Sequence, residues 1–401
     1  MANNTYVTDV LAGPFETILI TDTGGQDRLV IDGIYGFSSR INLSWTSAGG
    51  VSTAARGYVQ TDGDFVWREV IISGFIENAR GSNGEDSIDG NEGNNIIYGD
   101  KLATGPGMGD IVYGNAGRDT IYGGAGSDSV QAGDGNDIIY GGTGADVLSG
   151  DDGGDTLSGG AGADVLHGGF DLGDTASYAT SSAAVRITLN VDAFTFGTGG
   201  DAQGDKLGSM LGIIGSDFAD VITATTKVAS GTLTDNVFLG RDGADKLTMG
   251  GGKDRGQGGD GADTILGEAG NDTLLGGAGA DRLTGGVGAD SLTGDTGADS
   301  FIFTTNSHST TVTAGRDTIT DFHHSQGDQI DLRGIDAING GANSTFTFIG
   351  KAAFSGHAGE LRIQASGDGF LVKGTTNADK LADFAVFVGD VTGLVRGDFL
   401  L

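Results

Sequence analysis

Seven aspartates stand nine residues apart: Asp110, Asp119, Asp128, Asp137, Asp146, Asp155 and Asp164. A second series of seven keeps the same period: Asp245, Asp254, Asp263, Asp272, Asp281, Asp290 and Asp299. An ionised carboxylate only accepts hydrogen bonds, and its hard oxygens suit a hard divalent cation. Phased carboxylates separated by glycines therefore point to a row of calcium sites. Asp86, where the first array begins, joins the candidate ligands.

Around most of these aspartates the sequence reads Gly-Gly-x-Gly-x-Asp-x-aliphatic-x, as in Gly276-Gly277-Ala278-Gly279-Ala280-Asp281-Arg282-Leu283-Thr284. A nine-residue period of this form is the pattern of a calcium-binding parallel β-roll. The first six residues predict a turn and the last three a short strand. Glycine reaches backbone conformations closed to other residues, which lets carbonyl oxygens face an ion. The middle strand residue faces inward: Val112, Ile121, Val130, Ile139, Leu148, Leu157 and Leu166 in the first array. Two nonapeptides make one coil. Asp110, Asp128, Asp146 and Asp164 then form one column, and Asp119, Asp137 and Asp155 the other. Strands stack about 4.8 Å apart, and calcium takes six to eight oxygens at about 2.4 Å. An ion between coils therefore draws on carboxylates from both and on backbone carbonyls. A flexible glycine-rich linker would explain the glycines but neither the phased aspartates nor the phased aliphatics. Gly256 replaces the inward aliphatic after Asp254, which predicts a looser layer there.

Composition agrees. Among 401 residues there are 78 glycines, two prolines and no cysteine, and 54 acidic residues face 22 basic ones for a net charge of −32. That charge excludes nucleic acid as a partner and disfavours anionic membrane surfaces. No thiolate site or disulfide is available. No apolar run approaches the roughly 20 residues that span a bilayer, so no transmembrane segment is expected. The N-terminus shows no basic and apolar leader.

The expected fold is all-β: two right-handed parallel β-rolls with irregular β caps, or alternatively one continuous roll interrupted by insertions. The boundaries read as an N-terminal cap at 1–80, a first roll at 81–169, a second cap at 170–230, a second roll at 231–303 and a C-terminal cap at 304–401. Asp27 through Arg40-Ile41-Asn42-Leu43 to Asp86 matches Asp174 through Arg186-Ile187-Thr188-Leu189 to Asp220, a duplicated cap-and-roll unit. Phase breaks at 101–106 and 224–232 predict loops at coil corners.

The arrays resemble the repeats-in-toxin (RTX) family, and the resemblance extends beyond them. Thr23-Gly24-Gly25-Gln26-Asp27, Ser39-Arg40-Ile41-Asn42-Leu43 and Ile76-Glu77-Asn78-Ala79-Arg80-Gly81-Ser82 are similar to the start of the C-terminal β-roll domain of serralysin-type metalloproteases. Asp317-Thr318-Ile319-Thr320-Asp321-Phe322 and Gly327-Asp328-Gln329-Ile330-Asp331-Leu332 resemble the cap that follows that roll. The resemblance implies several calcium ions. It makes Asp27 and Glu77 ligands before the first roll, and Asp317 a ligand near the end of the second. Leu211 stands where Glu77 stands in the other copy, so that carboxylate is missing there.

The protease signature His-Glu-x-x-His is absent from the sequence, whose five histidines are His167, His308, His323, His324 and His357. No catalytic site is expected. The ending Gly397-Asp398-Phe399-Leu400-Leu401 resembles the uncleaved export signal of the family, which implies type I secretion machinery as a partner and an extracellular location. Three roles stay open: a structural or surface calcium-binding protein, a non-catalytic targeting or folding module of a secreted hydrolase, and a self-assembling surface-layer or adhesion protein.

Overall fold

The computed structural model describes residues 5–9, 18–21, 28–32, 38–42, 55–60, 70–73, 78–81, 85–100, 107–169, 173–190, 194–225, 234–338 and 344–401, with side chains from Ala79 onward. Both expected corner loops, 101–106 and most of 224–232, lie outside these residues, as do Asp27 and Glu77. The chain divides into two compact units. One comprises Met1–Thr180 with Ala193–Gly212, the other Ser181–Asp192 with Ile213–Leu401.

In the first unit coiling begins before the glycine-rich array. Strands Thr5–Asp9, Arg28–Asp32, Asn78–Arg80 and Ile96–Tyr98 pair in parallel, one after another. Ser38–Asn42 lies parallel to Asp86–Asp89, with Ala55–Gln60 antiparallel on its other side. The roll then continues as two parallel stacks. Asp86–Asp89, Ile111–Ala116, Ser129–Asp134, Val147–Asp152, Val165–Gly169 and Lys206–Gly208 form one. Ile96–Tyr98, Thr120–Ala125, Ile138–Thr143, Thr156–Ala161 and Thr175–Ser177 form the other.

Register follows from the nonapeptide. Val112 pairs with Val130, Val130 with Leu148 and Leu148 with Leu166, while Ile121 pairs with Ile139 and Ile139 with Leu157. All seven are at most 2% exposed, so the core is a ladder of single aliphatic side chains. The strands are longer than the expected three residues. Ile111–Tyr113 pairs with Ser129–Gln131, the ladder skips Gly114, and it resumes at Asn115↔Gly133 and Ala116↔Asp134. The skipped glycine is the first of the repeat turn. On the outer face the rings of Tyr98, Tyr122 and Tyr140 stack at 4.8 and 4.9 Å, the spacing of the strands that carry them.

The second unit repeats the plan. Arg186–Leu189, Val221–Ala224, Lys246–Thr248, Thr264–Ala269, Arg282–Val287, Ser300–Ile302, Gln329–Asp331 and Phe399–Leu400 make one parallel stack. Val237–Asp242, Arg255–Asp260, Thr273–Ala278, Ser291–Thr296 and Thr318–Ile319 make the other. An antiparallel meander of Glu360–Ser366, Gly369–Thr375 and Phe384–Val388 closes the end. The looser layer expected at Gly256 is not found. A Cβ there would lie 3.0 Å from Ile265 and 3.3 Å from the Met249 sulfur, so neighbouring side chains already fill the gap. Methionine's unbranched, polarisable chain suits that task.

The fold is thus an all-β parallel β-roll. Among the described residues the helical segments are short 3₁₀ turns at Gly200–Ala202, Thr313–Gly315 and Arg396–Asp398, and no helix is long and apolar enough to cross a membrane.

Candidate metal centre

The aspartates are stacked by a repeated hydrogen bond. Each main-chain N–H donates to Oδ1 of the aspartate one coil further on. In the first roll the series runs Asp86 to Asp110 (2.8 Å), Asp110 to Asp128 (2.7 Å), Asp128 to Asp146 (2.8 Å), Asp146 to Asp164 (2.9 Å) and Asp164 to Asp205 (2.8 Å). The other column runs Asn95, Asp119, Asp137, Asp155, Asp174. In the second roll the columns are Asp220, Asp245, Asp263, Asp281, Asp299, Asp328 and Asn236, Asp254, Asp272, Asp290, Asp317. One oxygen of each carboxylate is thereby fixed by the coil before it.

In most of these carboxylates the other oxygen has no donor. Oδ2 of Asp110, Asp119, Asp128, Asp137, Asp146 and Asp164, and of Asp245, Asp254, Asp263, Asp272, Asp281, Asp290, Asp299 and Asp317, is buried without a hydrogen-bond partner. An unpaired carboxylate oxygen taken out of water is costly unless a cation meets it. The acidities carry the same message. Burial pushes Asp128, Asp137, Asp281 and Asp290 up to about 6. It pushes Asp119, Asp146, Asp245, Asp254, Asp272 and Asp299 up to about 7. Asp110 and Asp317 reach about 9, through burial first and neighbouring carboxylates after it.

The first glycine of each turn leaves the space beside that oxygen. A Cβ at Gly123 would stand 2.5 Å from Asp128 Oδ2 and 2.6 Å from the Gly141 carbonyl of the next coil. At Gly141, Gly258, Gly267 and Gly276 it would likewise meet the Oδ2 of Asp146, Asp263, Asp272 and Asp281 and the carbonyl one coil on. Each gap thus gathers acceptors with no donor among them. No three His, Cys, Asp or Glu side chains converge into a metal cluster among the described residues. Backbone carbonyls must complete the shell, which is the mixed oxygen set that calcium accepts and zinc does not favour. The donor set fits calcium.

One column of each roll ends on a protein donor. At Asp205, Oδ2 accepts the Tyr178 hydroxyl (3.1 Å), and at Asp328 it accepts the His323 N–H (2.7 Å). At the start of the second roll, Asp220 Oδ2 accepts the Ser216 N–H (2.6 Å). Asp100, Asp174, Asp205, Asp220 and Asp328 had no assigned role in the sequence reading, because insertions break the period around them. Asp164 and Asp205 are 41 residues apart, and Asp299 and Asp328 29 apart, against 18 within the arrays. A local signal existed in the Asp-x-aliphatic triplets Asp205-Lys206-Leu207, Asp220-Val221-Ile222 and Asp328-Gln329-Ile330. Of the histidine pair, both side chains are exposed; His324 Nδ1 pairs with Asp398, and neither ring belongs to a metal cluster.

The model of the RTX calcium-binding nonapeptide repeat (4 copies) matches residues 73–101, 107–139, 140–171, 230–265, 249–283 and 266–301. The two arrays are RTX calcium-binding repeats, as their nonapeptides indicated. Among solved structures the chain is similar to the AlgE6R3 subunit of the Azotobacter vinelandii mannuronan C5-epimerase, with 26% identity over 37% of this chain and 80% of that one and a TM-score of 0.27. It is similar to the AlgE6R2 subunit of the same epimerase at 22% identity, over 47% and 91%, with a TM-score of 0.22. The extracellular lipase LipA of Serratia marcescens shows 17% identity, over 82% of this chain and 41% of that one, with a TM-score of 0.25. No curated protein matches the chain.

Proposed function

We propose that this chain is a secreted calcium-binding RTX protein whose rolls fold when extracellular calcium enters the gaps between coils, and that its role is structural and without catalysis. The observation that carries this reading is the row of buried, donorless Oδ2 atoms. The column aspartates from Asp86 to Asp164 and from Asp245 to Asp317 serve as side-chain ligands, with the turn carbonyls beside them. Calcium supplies positive charge between coils that otherwise repel. The protein residues hold each carboxylate in place through the N–H of the preceding coil, and the aliphatic ladder keeps the coils in register.

The energetics support folding on binding. Ordering a residue costs about 1–2 kcal/mol, and glycine loses the most. One inward aliphatic per nonapeptide returns only about 1.5–3 kcal/mol. The array therefore depends on the ion. Extracellular calcium modules bind at roughly 10⁻⁴–10⁻³ M, so such a chain stays open in a calcium-poor cytosol and closes outside. Export before folding also suits the last residues, since Phe399 is buried and its strand pairs with Gln329–Asp331 once the cap forms.

Circular dichroism during a calcium titration tests the reading. The chelated chain should lack most of the β signal and gain it cooperatively as calcium is added. A β signal complete in excess chelator and indifferent to calcium would sink it.

A further inference from the structure

At the second position of the repeat turn, most coils carry glycine with positive φ. Five other residues that stand there keep the same left-handed backbone, Asn115 (φ 76°), Asp151 (71°), Arg241 (87°), Glu268 (75°) and Asp295 (64°), whereas Asn91 and Ser216, in the turns that lead to Asn95 and Asp220, do not. The side chains of the five are exposed or half-buried. Asp100 occupies this position in the turn that leads to Asp110, and it differs from those five. Its φ is not positive, and the residue is 3% exposed. The Asp100 carboxylate faces inward instead of toward solvent.

Its two oxygens repeat the pattern of the column aspartates. Oδ2 accepts the Ala125 N–H of the next coil (2.7 Å), and Oδ1 is buried with no donor. A Cβ at Gly124 would lie 2.6 Å from Asp100 Oδ2, while one at the adjacent Gly123 would lie 2.5 Å from Asp128 Oδ2. A Cβ at Gly99, the residue before Asp100, would meet Asp110 Oδ2. Three carboxylates, each with a buried donorless oxygen, therefore line two neighbouring dipeptides without converging on a single point. The nearby Arg80 does not neutralise Asp100 by this contact: its Nε donates to the Asp100 main-chain carbonyl (3.4 Å). Charge on Asp100 is also among the causes that hold Asp110 and Asp128 high, after burial.

We propose that Asp100 is a side-chain calcium ligand in the gap between the Asp110 and Asp128 turns, giving that gap one carboxylate more than the other gaps of the first roll. The proposal rests on the calcium reading above and extends it to a graded set of sites. Affinity at oxygen sites rises with the number of charged ligands, so this gap fills first and starts the ordering of the first roll.

Calorimetric calcium titration of the full chain tests this with three variants. Asp100→Asn keeps an acceptor for the Ala125 N–H but removes the charge. Asp100→Gly installs the residue that most other turns have. Asp151→Asn changes an acid at the same repeat position that faces outward. The wild type should show one tight site above a weaker class. Asp100→Asn and Asp100→Gly should both weaken that site by about tenfold or more and leave the weaker class in place, while Asp151→Asn behaves as wild type. A tight site retained in Asp100→Asn and lost only in Asp100→Gly would reduce Asp100 to an acceptor for Ala125 and overturn the proposal. So would a tight site unchanged in both. A wild-type chain that takes up no calcium would instead remove the underlying calcium reading.

Discussion

A methyl group at Gly123 would sit 2.5 Å from Asp128 Oδ2 and 2.6 Å from the Gly141 carbonyl, inside the space where the two acceptors meet. The glycine is therefore as much a part of the candidate site as the aspartate, although it offers no side chain. Gly123→Ala should remove one calcium from the stoichiometry and move the calcium midpoint of folding to higher concentration, with every carboxylate still present. Gly154→Ala makes the control, since a Cβ there has no neighbour closer than 3.9 Å. Equal behaviour of the two variants in equilibrium dialysis would contradict the cradle. The aspartates themselves divide in the same way. Asp137 takes the Asp119 N–H at 2.7 Å on one oxygen and leaves the other buried and donorless. Asp137→Ala should lower the cooperativity of calcium-induced folding. Asp152→Ala, at an exposed turn position, should leave it unchanged. A Hill slope that falls equally in both would argue that bulk charge, not the column, sets the response.

At the scale of the strand, stability lies in the ladder of single aliphatics. Leu148 is fully buried and pairs with Val130 on one side and Leu166 on the other. Leu148→Ala should cost about 2–5 kcal/mol, the usual range for a large-to-small core change, measured by urea unfolding in saturating calcium. A cost under about 0.5 kcal/mol would mean that ions alone hold the coils together. This ladder and the columns within each array were legible in the sequence, because nonapeptide period and strand alternation agree at Val112, Ile121 and their successors. What was not legible depended on distant closure. Asp205 enters its column after 41 residues, and Tyr178 meets it from another segment, so no local period announces either. Gly256 misled for a related reason. A missing side chain reads as a void, but Met249, just past the strand Lys246–Thr248, and Ile265 close over it from the opposite stack. Strand length was underestimated because pairing resumes past the skipped glycine, as at Asn115↔Gly133.

For the molecule as a whole, the aspartate columns make an ion-free roll a creature of low pH. A net charge of −32 already opposes compaction, and the column carboxylates are the part of it that folding buries. Their folded values are raised, mainly by burial, from an ordinary 3.8 to about 6 at Asp128 and Asp137, about 7 at Asp119 and Asp146, and about 9 at Asp110. A group whose folded value lies above its unfolded value binds its proton more tightly in the folded state. Its contribution is then fully present below the unfolded value and is lost as pH rises through the folded one. The chelated chain should accordingly gain β structure on acidification from about pH 8 to about pH 4.5, the reverse of ordinary acid denaturation. Calcium replaces those protons at neutral pH, so its apparent affinity should climb as pH rises from about 4.5 to about 8. Circular dichroism in chelator at the two pH values, with light scattering to exclude aggregation, reads the first effect; calcium titrations at matched ionic strength read the second. A chelated chain equally unfolded at both values, or one that loses β structure in acid, would show that the buried carboxylates are not what keeps the ion-free rolls open.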